Sequence, residues 1–239
     1  MSAPDTAWRR ALAAARANML PGLVLQAFAA ALVASYYLHP GARAALDSLA
    51  AVKARFGFLY SVVSTALFGG AIPFLYMRLN PRTGPATPAS HGLFYLAFWA
   101  YKGFEVDLFY RIQGLLFGIR PTLEAILKKV VVDQFVYCVF ISMPFTVAAF
   151  FWKDAGFDRR RLGTLTTAAF WKAGLPAALL GTWIVWIPAV AVIYCLPPAL
   201  QIPLFNIVLC FYALMIAALN ARNASLPAAA RRSGARATA

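Results

Sequence analysis

Acidic side chains are scarce in this chain. Its 239 residues carry eight Asp and Glu against 22 Lys and Arg, and histidine occurs twice. Enzymatic sites are built from gathered nucleophiles, acids, bases or metal ligands. Here no HExxH, GxSxG or paired acidic motif occurs, and His39 and His91 each stand alone at a segment end. The three cysteines, Cys138, Cys195 and Cys210, are isolated in apolar runs without CxxC or Cys/His spacing. Such cysteines read as small core hydrophobes, not as disulfides or metal ligands. The expectation is a protein that is not an enzyme and has neither cofactor nor metal.

What the chain has is apolar length. Hydrophobic residues make up 62%, against about 45–50% in a soluble domain. The runs Met19–Leu38, Phe56–Met77, Val130–Trp152, Ala173–Leu196 and Leu204–Leu219 each approach the ~20 residues of a spanning helix, the last gaining length from its flanks. The fold class expected is all-α, a polytopic membrane helix bundle. The net charge of +14 would suggest nucleic acid in a soluble domain. Here the basic residues fall between the apolar runs and at the ends, where they set topology and meet anionic lipid headgroups. The partners expected are the lipid bilayer and those headgroups, not nucleic acid; a homo-oligomer is compatible.

Three regions follow: a basic segment at 1–18, a transmembrane helical domain at 19–220 and a basic, disordered tail at 221–239. The first apolar run ends SYYLHPG, a poor cleavage site, so it reads as an uncleaved helix. The segment from His91 to Pro121 is long enough to cross, yet holds Lys102, Glu105, Asp107 and Arg111. If it crosses, Arg9, Arg10, Arg16, Arg78, Arg82, Lys153, Arg159, Arg160, Arg161, Lys172 and the tail arginines collect on one side. That distribution favours about six crossings with both termini cytoplasmic. It places an Ala42–Lys53 loop outside and an Arg159–Arg161 loop inside.

The charges of the third segment can pair within it. Lys102 with Glu105 and Asp107 with Arg111 are three and four apart on opposite faces. Ionised residues in a membrane usually face a bundle interior or a water-filled cavity. Either both faces are covered by protein or the helix breaks near Lys102-Gly103. Small residues four apart occur at Ala27/Ala31 and Ala30/Ala34, at Ser61-Thr65-Gly69 and at Gly114/Gly118, spacings that let membrane helices approach closely. Pro73, Pro144, Pro176 and Pro188 interrupt spans and free backbone carbonyls that neighbours or water must satisfy. In KKVVVDQF, Lys128 and Lys129 fit headgroup level, and Lys129 can bridge Asp133. Gln134, about 100° further round a helix, needs a polar partner on a neighbouring helix.

The stretch KKVVVDQFVYCVFISMPF resembles the Asp-Gln helix of the family of the twenty-two-kilodalton peroxisomal membrane protein and its mitochondrial inner-membrane relatives. The stretch WIVWIPAVAVIYCLPPALQIPLFNIVLCFYALMIA is similar to that family's closing signature. Asp133 and Gln134 match the Asp-Gln, Trp186 and Pro188 the Trp-Pro, Tyr194 the aromatic and Pro198 the second proline. Ile187 splits the Trp-Pro pair, and apolar Val190 and Ile193 replace the family's Gln and Asn. The resemblance implies a small membrane protein, channel-like in some members. It makes Asp133, Gln134 and one charged face of the third segment the expected polar lining of a channel or facilitator for small solutes or ions. The alternative is a structural or assembly protein that binds lipid or protein partners without transport. Without a peroxisomal terminal signal, the expected location is a bacterial plasma (inner) membrane, with the mitochondrial inner membrane as alternative.

Overall fold

The computed structural model describes residues 22–81, 83 and 87–224. The basic segment 1–18, most of the tail and both chain ends lie outside the described residues. Among the described residues the regular structure is helical throughout, without strands, as the composition requires. α1 covers Gly22–Leu38 and α2 Pro40–Phe56. α3, Phe58–Thr65, leads through a π segment, Ala66–Ala71, into α4, Ile72–Leu79. α5 is Ser90–Phe117. α6, Leu123–Val131, continues through a second π segment, Val132–Ser142, into α7, Met143–Asp154. A 3-10 turn at Arg159–Thr166, capped by Asp158, precedes α8, Ala168–Tyr194, and α9, Pro198–Ala224.

Among the described residues four helices are long and apolar enough to cross a membrane: Phe58–Leu79, Leu123–Asp154, Ala168–Tyr194 and Pro198–Ala218. A fifth arises if α1 and α2, bent by 103°, form one broken span. α5, at 28 residues, has the length without the uniform apolarity. By length and composition the described residues supply four or five of the about six crossings expected. α9 also runs four residues into the expected tail.

The Ala42–Lys53 loop is instead most of α2. His39 is extended, at φ −123°, because the residue before a proline avoids the helical region. Pro40 then starts the helix at the position that suits it. Arg43 and Asp47 pair along α2 at 3.8 Å, and Lys53 and Arg55 end it where the helix dipole favours cations. Gly57, at φ 55°, supplies the left-handed turn into α3.

Both π segments stand just ahead of a proline, Pro73 and Pro144. A proline ring clashes with the carbonyl four residues back and offers no N–H to it. The preceding turn opens to i→i+5 bonding instead, the local route to a π turn.

The chain divides into two compact units, one holding Val130–Pro188 and the other Val24–Lys129 with Ala189–Pro227. In the larger, α5 runs antiparallel against α3, its π segment and α4. A Cβ at Gly103 would strike the Ser61 carbonyl and Thr65, one at Gly69 would lie 2.7 Å from the Trp99 ring, and one at Gly70 2.9 Å from the Tyr95 carbonyl. The Ser61-Thr65-Gly69 stripe thus receives α5 at close range. The other stripes differ. Ala27, Ala30, Ala31 and Ala34 are exposed, the buried side of α1 being Leu25, Ala29 and Tyr36. Gly118, at φ 84°, terminates α5 instead of packing. On α9, Leu200, Leu204, Val208 and Leu209 are almost completely buried. In the smaller unit Phe135 packs on Trp183 and Phe151 on Phe170.

Candidate functional site

The residues expected to form a polar interior fall in both units. In the larger one, α5 remains helical through Lys102-Gly103, so both charged faces are met by covering them, not by breaking the helix. Lys102 Nζ bridges Glu105 Oε1 at 2.8 Å, with both side chains largely buried. Arg111 Nε reaches Asp107 Oδ1 at 3.1 Å. These are the two pairs that the spacing predicts. Asp107 has further partners. Lys53 Nζ from α2 lies 2.5 Å from Oδ2 and Ser61 Oγ donates to the same oxygen at 2.7 Å. Lys53 also donates to the Gly57 carbonyl at 2.9 Å, and the Arg111 guanidinium stacks 4.2 Å above Phe58. Two cations share one carboxylate, so the cluster keeps a net positive charge, and Arg111 is half exposed.

Two polar contacts beside it join other helices. Thr65 Oγ1 donates to Asn206 Oδ1 and Asn206 Nδ2 to Ser64 Oγ, both at 2.8 Å, tying α3 to α9. Gln113, with no exposed surface, donates from Nε2 to Tyr194 Oη at 2.7 Å and to the Lys129 carbonyl at 3.3 Å. Its Oε1 is buried without a hydrogen-bond donor among the described residues. Lys129 is 4% exposed, and its ammonium sits 5.6 Å over the Tyr194 ring. Among the described residues no carboxylate pairs with it. Lys128, by contrast, is exposed and bridges Glu124 at 2.5 Å.

In the smaller unit Asp133 and Gln134 are buried on the π segment, which excludes a solvent-facing pair. Gln134 Nε2 donates to its neighbour Asp133 at 2.8 Å, where a partner on another helix was expected. The contact to another helix is made by the Gln134 carbonyl, which accepts from Trp183 Nε1 at 3.0 Å. Gln134 Oε1 is buried without a donor. Of the remaining signature positions, Trp186 is partly buried on α8, Pro188 lies inside that helix, Tyr194 ends it with almost no exposure and Pro198 opens α9.

As members of the polar interior, Lys53, Ser61, Gln113 and Asn206 are not found by the sequence reading, which has Ser61 only in a packing stripe and Lys53 only in a loop. Gln113 and Asn206 left a signal, each a lone amide inside an otherwise apolar stretch, whereas Lys53 looks like any loop lysine. Among the described residues no three His, Cys, Asp or Glu side chains gather as metal ligands would. Comparison with family models, curated proteins and solved structures finds no match to this chain.

Proposed function

We propose that this helical membrane protein is a channel or facilitator for small solutes or ions, and not an enzyme. The observation that carries the reading is Lys129: an ammonium on a membrane-crossing helix, buried at 4% exposure, with no carboxylate paired to it among the described residues. Removing an ion from water costs several kcal/mol even after relaxation. The face of Tyr194 returns about 0.5–2 kcal/mol. A core selected for packing alone has no use for that deficit, whereas a polar path does, and ionisable groups inside membranes usually mark one. The resemblance to the peroxisomal and mitochondrial membrane-protein family supports the same reading, with Asp133 and Gln134 as further lining candidates. A bacterial plasma membrane, contact with anionic headgroups and self-association belong to this proposal.

The rival reading, a structural or assembly protein, draws on Asp107 and Asn206, whose hydrogen bonds within the bundle serve packing well. Flux separates the two. Purified protein in liposomes should pass small ions or metabolites, and Lys129→Met should reduce that flux severalfold. Liposomes that stay tight to all of them would overturn the transport reading.

A further inference from the structure

We infer that Gln113 and Lys129 form a binding site for a small oxyanion that still carries an O–H: a 2-hydroxycarboxylate, bicarbonate or dihydrogen phosphate. This names the solute class at the site on which the transport proposal rests. Both residues meet the same tyrosine. Gln113 Nε2 is 2.7 Å from Tyr194 Oη, Lys129 Nζ is 5.6 Å from the centroid of that ring, and the amide also holds the Lys129 main chain through its carbonyl. The amide orientation is forced, because the Lys129 carbonyl can only accept, so Nε2 must face it. Oε1 is then left without a donor among the described residues.

The pair therefore presents opposite demands. Lys129 offers up to three N–H donors and a positive charge; Gln113 Oε1 wants a proton. Chloride satisfies the first and is repelled by the second. A neutral alcohol satisfies the second and leaves the charge unmet. A molecule with an anionic oxygen next to an O–H meets both: the oxyanion takes the ammonium and the hydroxyl donates to Oε1. The surroundings suit the arrival of an anion. Gln113 lies two residues beyond the half-exposed Arg111 on α5, and the cluster of Arg111, Lys53 and Asp107 at that end of the helix is net positive. A positive field of that kind raises the local concentration of anions.

The test is thermal unfolding of the purified full chain at fixed ionic strength with matched probes. Glycolate and lactate carry the hydroxyl, acetate and propionate lack it, and bicarbonate, phosphate and chloride complete the set. Hydroxylated acids should raise Tm in a concentration-dependent way, with about tenfold tighter apparent affinity than their unhydroxylated partners. Bicarbonate and phosphate arms show whether the natural source is inorganic or a small organic acid. Lys129→Met should abolish the response and Lys129→Arg retain it. Gln113→Glu places a carboxylate beside the lysine within the chain, so it should raise Tm without added anion and remove the anion response. If Lys129→Met is more stable than the parent and the parent ignores every anion, the lysine is neutral and the inference fails. It fails equally if chloride and acetate act as strongly as glycolate, or if Gln113→Glu leaves the response intact. Cation flux with no anion response would sink this inference and leave transport standing; anion binding without any flux would do the reverse.

Discussion

Asp107 concentrates the electrostatics of the larger unit, because one buried carboxylate carries two cations and a hydroxyl. Its removal strands Lys53, whose side chain is only 5% exposed. Breaking one partner out of a buried ion pair costs about 3–5 kcal/mol, whereas replacing both partners with apolar groups is often neutral. Asp107→Asn should therefore lower the unfolding temperature sharply, and the double change Lys53→Met with Asp107→Leu should recover most of the loss. A double variant no more stable than Asp107→Asn would mean that the ion pair itself, and not the uncompensated charge, governs stability. Legibility at this scale divides along sequence distance. The Lys102–Glu105 and Asp107–Arg111 pairs follow from three- and four-residue spacing alone. The Lys53–Asp107 pair joins residues 54 apart in sequence, and no periodicity announces it. The same limit applies to Asp133: its shallow place in the sequence suggested Lys129 as partner, while Lys129 turns to a tyrosine on α8 and Gln134 turns to Asp133.

Among the elements, apolar runs mark spans because membrane length is a strict constraint: four of the five lie largely within helices of spanning length, whereas the described part of Met19–Leu38 reaches that length only if α1 and α2 form one broken span. α2 was not legible as a helix. Its mixed composition fits neither a span nor a loop, and hydropathy has no term for the Pro40 start that builds it. The small-residue stripes show why spacing by itself is weak. Ser61-Thr65-Gly69 packs because α5 brings Gly103 against it, while the alanines of α1 have the same spacing and face outward. Gly103→Ala should force α3 and α5 apart, since its new Cβ meets backbone, not a flexible side chain. Overpacking of this kind typically costs about 1–3 kcal/mol; a wild-type melting temperature for Gly103→Ala would contradict the close approach. The π segments carry a second prediction. If Pro144 opens the turn before it, Pro144→Ala supplies an amide that can bond the Phe140 carbonyl. That amide should be strongly protected from hydrogen exchange. Exchange at the rate of an unbonded amide would mean that something other than the proline holds the π geometry.

For the molecule as a whole, the question the charges leave is whether α5 crosses the membrane. Composition counts against it: Lys102, Glu105, Asp107 and Arg111 keep it out of the set of apolar spans. Arrangement counts for it. α5 lies antiparallel along Phe58–Leu79, a helix of spanning length, with Gly103 against Ser61 and Gly92 against Phe74, so it shares nearly the full extent of that span. Its exposed large apolar residues are Leu93, Leu96, Tyr101, Phe104, Leu108, Ile112, Leu115 and Leu116, of which the first seven form an apolar stripe at three- to five-residue spacing. At 1.5 Å per residue that stripe is about 33 Å long, close to the ~30 Å of a hydrocarbon core. Lys102, Asp107 and Gln113 are turned inward. Apart from the half-exposed Arg111, which pairs with Asp107, such a helix is polar within and apolar without, the pattern of a membrane segment whose charges face its own bundle. We therefore expect α5 to cross, with the α2–α3 turn and the α5–α6 turn on one side and the α4–α5 connection on the other. Single cysteines at Arg55 and Arg120, in a chain whose three native cysteines are replaced, should react with an impermeant maleimide from the same side of sealed vesicles. A cysteine at Thr83 should react only from the opposite side. Labelling of all three positions from one face would place α5 on the surface, and its apolar stripe would then have to lie flat against the headgroup boundary instead of passing through the bilayer.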